Sequence, residues 1–141
     1  MKLTATTTSK RKSGMTLLEL TVVILVLLSL ISVLFIGARA WKKGSDKAAS
    51  ILQIRNVQQG VRSNANLNGL NLGDAMVRED VIGAGKFVAI DPVTKGHPAG
   101  TAFDFATVAP SVVPLVGVLY LTVTGAGFGD YMPTTGTYAD W

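Results

Sequence analysis

Few residues in this 141-residue chain could do chemistry, and they do not gather into a set. The one histidine, His97, sits in KGHPAG, where flanking glycine and proline predict a turn with the ring in solvent. No serine stands in a triad or dyad pattern with a histidine or lysine, and GAG at 83–85 and 125–127 lacks the spacing and the lysine of a phosphate loop. Cysteine is absent, so neither thiolate catalysis nor a disulfide is open to the chain. Asp130 and Asp140, with nearby carbonyls, are hard oxygen ligands of the kind Ca²⁺ takes, but their ten-residue spacing matches no calcium loop. Neither a cofactor nor an enzyme activity is expected.

The residue that needs explaining is Glu19. Residues 20–36 have only Thr21, Ser29 and Ser32 as polar members, and the wider stretch 15–38 carries Glu19 as its one charge. That length and composition suit a bilayer span. The run is too long for a secretory signal, and IGARAWKKG after it offers no convincing cleavage site. An ionised carboxylate costs about 2.5–3.5 kcal/mol at the centre of a translocated helix and less near its end. On a plain anchor Glu19 is a tolerated interfacial charge. The alternative is a positive partner. If the chain is cut between Gly14 and Met15, the new α-amine lies one turn from Glu19, beside the first-turn N–H groups. In a stack of identical helices, the amine of one copy could neutralise Glu19 of the next and set the register.

These residues resemble a known processing site. KSGMTLLELTVV is similar to the leader-peptidase site of the type IV pilin family, which includes the type II secretion pseudopilins and the competence pilins. The resemblance covers residues 10–41. It implies cleavage after Gly14 by a prepilin peptidase, N-methylation of Met15, and use of Glu19 for subunit registration in a filament. Thr16, Leu17 and Leu18 match the residues that follow the cut. Met15 stands where most members have phenylalanine, and Ile36 where many have proline. The implied partners are identical subunits in a helical filament and an inner-membrane assembly platform. The implied location is the inner membrane with the head in the periplasm, and an extracellular fibre once assembled. The readings left beside a pilus subunit are a type II secretion pseudopilin and a single-pass membrane anchor for a small binding module.

Charge agrees with a topological role. Lys2, Lys10, Arg11 and Lys12 precede Gly14 with no acid among them, whereas from residue 15 onward nine bases face nine acids. The net +4 therefore sits in the leader, and a balanced body predicts no specific nucleic-acid partner. Arg39, Lys42, Lys43 and Lys47 crowd the far side of the apolar run, so charge alone leaves the orientation open.

The elements that must position this segment follow from periodicity. Ile51, Ile54, Gln58, Val61 and Ala65, broadened by Leu52 and Val57, form a helical stripe. One helix over residues 15–65 has roughly 51 residues and a length of about 75 Å; two helices bent at Gly44 are the alternative. Asp74 is placed to cap a short helix AMVREDVI ended by Gly83 and Gly85. Period-two patterns predict strands at 86–90, 101–108 and 117–124. Phe128, Tyr131, Tyr138 and Trp141 are expected to close the sheet edge or meet a neighbour. The expected class is α+β and pilin-like, a long N-terminal helix on a small antiparallel sheet. Its parts are a leader at 1–14, a membrane and filament-core half-helix at 15–41, a second half at 42–65 and a head at 66–141.

Overall fold

The computed structural model describes residues 14, 16–105 and 112–141, all but Phe128 with their side chains. Helix α1 runs over Leu17–Asn68 without a break at Gly44, and its described surroundings fall into two units that divide between Arg39 and Ala40.

In the first unit every residue of α1 is exposed. Its three hydroxyls are satisfied within the helix. Thr21 Oγ1 donates to Leu18 O at 2.9 Å, Ser29 Oγ to Val26 O and Ser32 Oγ to Leu28 O, both at 2.8 Å. Short polar side chains bonded to the preceding turn leave nothing for solvent to satisfy, as an apolar setting requires.

In the second unit the distal half of α1 buries Ser50, Ile54, Val57, Gln58, Val61 and Ala65. The stripe is rotated slightly from the expected one. Leu52 faces out, and the small or polar residues Ser50, Gly60 and Asn64 lie inside instead. Gly60 explains part of this. A Cβ there would meet Val88 Cγ2 at 3.1 Å, Phe87 Cβ at 3.2 Å and Val81 Cγ1 at 3.3 Å, so its absence lets the 81–88 loop lie against the helix. The helix ends three residues beyond Ala65, where Gly69 takes φ +66° and Leu70 N–H donates to Ala65 O at 2.8 Å. That 6→1 bond, with Leu70 packed on the core, is a Schellman C-cap.

Opposite the helix, β1 (Ala102–Phe105) pairs antiparallel with β2 (Leu121–Thr124), Phe103 facing Val123. Phe103, Leu121 and Val123 are buried in one core with Ile54, Val57 and Val61. A two-stranded ribbon is marginal by itself, and the helix supplies its cover. Short helices α2 (Pro92–Lys95) and α3 (Thr135–Tyr138) and 3₁₀ turns at Arg78–Asp80 and Phe128–Tyr131 complete the unit.

Several expected elements are shorter or absent. No strand forms at 86–90. A tight turn, closed by Lys86 N–H to Gly83 O, folds Val88 back onto residues 81–82 in a single parallel bridge, which leaves Phe87 and Ile90 exposed. The AMVREDVI helix is reduced to the 3₁₀ turn, because Ala75 is held in a bridge to Val112 and Asp74 accepts from Asn71 N–H upstream. Residues 106–108 of the second expected strand lie outside the described residues. The third strand starts only at Leu121, because residues 118–120 bond to a side chain of the helix. Gln58 donates from Nε2 to Val118 O at 3.0 Å and accepts at Oε1 from Tyr120 N–H at 2.9 Å. The buried amide thus takes the place of a strand partner.

Gln58→Leu keeps the volume but orphans both backbone groups, at about 1–3 kcal/mol each. Thermal melting of the full chain in detergent should show a loss of that order, whereas Gln59→Leu on the exposed side should be near neutral.

Candidate functional site

At the start of α1 the chain forms a reciprocal cap. Thr16 donates to Glu19 Oε2 from its backbone N–H at 2.7 Å and from its hydroxyl at 3.0 Å, while Glu19 N–H donates to Thr16 Oγ1 at 3.3 Å. Leu20 N–H closes the first helical bond to Thr16 O. This is a capping box, with Thr16 at the N-cap and Glu19 at N3. Its signature, Thr-x-x-Glu before an apolar run, is a local sequence signal that charge alone does not reveal. The box places the carboxylate at the positive end of the helix and sets the helix start.

Gly14 is exposed, and a Cβ there would meet nothing within 4 Å among the described residues. Met15 and residues 1–13 lie outside the described residues. Beyond the cap, sixteen large apolar side chains between Leu17 and Ile36 are exposed. At about 1.5–3 kcal/mol for each side chain fully buried, leaving them in water forgoes tens of kcal/mol.

The other candidates are not arranged for chemistry. Asp130 is held by Lys43 at 2.7 Å, which keeps its carboxyl below and the Lys43 ammonium above their ordinary values. Asp140 lines a different part of the surface, and among the described residues no three His, Asp or Glu side chains come together as a metal site would need. His97 is not in solvent, contrary to the expectation from KGHPAG. Its ring lies 4.7 Å from Phe103 and 5.0 Å, edge-on, from Tyr131, and Nδ1 accepts from Ala99 N–H at 3.1 Å. A turn and burial are compatible here because the turn is covered by two aromatic rings. Of the tail aromatics, Tyr131, Tyr138 and Trp141 pack against the core, and the side chain of Phe128 lies outside the described set.

No family model, curated protein or solved structure matches the chain. What stands is the architecture: a long N-terminal helix with an apolar stretch of membrane-span length, whose distal half shares a core with a small antiparallel sheet. In general terms, that arrangement is compatible with a pilin-like subunit.

Burial holds the His97 ring below its ordinary pKa of 6.5, opposed by the carboxylate of Asp46. A depressed value means that the fold favours the neutral ring. Its stabilisation is complete above 6.5 and is lost as pH falls toward the folded value. Between pH 6.5 and about 5, above the range where carboxylates titrate, the melting temperature should fall in the wild type. His97→Phe should remove that slope.

Proposed function

We propose that this chain is the precursor of a structural subunit that polymerises into a type IV pilus or a related filament. A prepilin peptidase would cut between Gly14 and Met15 and methylate the new N-terminus. The observation that carries this reading is a helix exposed on all sides over its apolar stretch, opened by a capping box containing its one carboxylate. Such a helix needs lipid before assembly and other helices after it. A glycine at position 14 with open space around it among the described residues is consistent with recognition by an outside enzyme.

The capping box also favours a second reading, in which the segment is a single-pass anchor for a small binding module. Glu19 already has three local hydrogen bonds, so it has a purpose without a neighbouring subunit. The type II secretion pseudopilin reading draws on the same helix and cap, and calcium binding by the C-terminal segment would help to separate it from the pilus reading.

Intact-mass measurement of envelope material should show loss of residues 1–14 and gain of one methyl group. An uncut chain would remove the filament reading. Charge and cap are then separated by Glu19→Gln, since glutamine at N3 still completes a capping box. We expect Glu19→Gln and Glu19→Ala alike to insert normally and to give few or no sheared fibres. Normal fibre yield from Glu19→Gln would assign the residue to helix capping alone.

A further inference from the structure

The electrically balanced body hides a division of charge. From Ala40 to Asn68 the helix carries Lys42, Lys43, Lys47, Arg55 and Arg62 against Asp46 alone, a net of +4. From residue 69 onward seven acids face three bases, Arg78, Lys86 and Lys95, a net of −4. Of the ion pairs among the described residues, only Lys43–Asp130 joins the two sets.

Three of the bases without an ion pair among the described residues form one feature. Lys47, Arg55 and Arg62 are spaced by eight and seven residues, so they share a helix face over about 22 Å. They border two adjoining grooves, of about 790 and 450 Å³, whose other wall is the segment from Pro133 to Trp141. The arginines are held in place. The Arg55 guanidinium lies 5.3 Å from the centre of the Trp141 ring, and Arg62 donates to Trp141 O at 2.9 Å. Among the described residues none of the three makes an ion pair within 4 Å to an Asp or Glu side chain; Lys47 acts on Asp130 only from further away, and Asp140 is the one acidic side chain lining the grooves. The acids concentrate elsewhere in the unit. Glu79, Asp80 and Asp91 share Arg78 and Lys86 at 3.6–3.9 Å, too long for tight pairs, and Asp74 and Asp104 are exposed nearby in the chain or on the sheet.

We propose that the Lys47–Arg55–Arg62 groove receives the acidic 74–80 segment of a second copy of this chain. Partly fixed cations with no close ion pair, and loosely paired anions outside the grooves, are complementary between copies. Because the two surfaces differ, the contact is heterologous, and repeating it gives an open polymer instead of a closed dimer. A nucleic acid fits less well, since the acidic surface offsets the groove's attraction for phosphate. The inference rests on the filament reading and names the contact between heads that it requires.

The absence of cysteine makes a direct test possible. Two single-cysteine full-length chains, Asn66→Cys at the groove and Val77→Cys beside the acids, are co-expressed and treated in envelopes with a short bismaleimide. A cross-linked dimer is expected from the mixture and not from either chain alone. Adding Lys47→Glu and Arg55→Glu, both exposed, to the Asn66→Cys chain should cut its yield about tenfold, the scale of lost interfacial charge contacts. Adding Glu79→Lys and Asp80→Lys to the Val77→Cys chain should then restore it.

Sheared fibres without the Asn66–Val77 cross-link overturn this contact and leave the filament reading standing. Without fibres, a failure of cross-linking also between Leu25→Cys helices overturns both. Equal dimers from each chain alone, or no recovery on charge exchange, overturn the head-to-tail arrangement. A gel shift of duplex DNA that Lys47→Glu/Arg55→Glu abolishes, with no cross-link, reassigns the groove to nucleic acid.

Discussion

One helix in this protein serves two surroundings, and the rest of the chain is arranged around that constraint. Over residues 17–36 its side chains have no cover, and its few hydroxyls are turned inward onto its own carbonyls. Over residues 50–65 the same helix is the wall of a hydrophobic core. Backbone hydrogen bonds within the helix make both possible, because they are satisfied regardless of what lies outside. What changes along the helix is only which groups the side chains offer.

The head depends on the helix for more than apolar cover. With four residues in each paired strand, the sheet satisfies little of the head's backbone. Polar side chains of the helix take over part of that role. Gln58 bonds to residues 118 and 120, Ser50 donates to Tyr131 O at 2.9 Å and Arg62 to Trp141 O. These bonds tie separate loops to successive turns of one rigid element. They are also directional, so they fix where each loop lies in a way that the apolar contacts do not.

The same pattern accounts for the expectations that failed. Period two in KFVAI and GVLYLTVT reflects residues that alternate between core and surface, but a strand also needs a partner. Residues 86–90 find only one bridge, and residues 118–120 find an amide. Gly60 lies within the helical stripe, and its missing side chain is what lets the 81–88 loop lie against the helix. His97 looked solvated because its neighbours are turn formers; the rings that cover it are 6 and 34 residues further along the chain. The α+β class, the long helix and its core-facing half were legible because a period of 3.6 sustained over many turns fits a helix and does not fit a strand.

By itself the sequence determined the apolar run, the isolated carboxylate at its start, the Thr16–Glu19 box and the segregation of bases on the helix from acids beyond it. Each depends on composition or on spacing within a few residues, which local geometry translates directly. Only the tertiary structure decided which loops Ser50, Gln58 and Arg62 hold, how short the sheet is, and which cations are left without a close ion pair. Those outcomes join residues about 60–80 apart in the chain, and no local spacing records such a pairing.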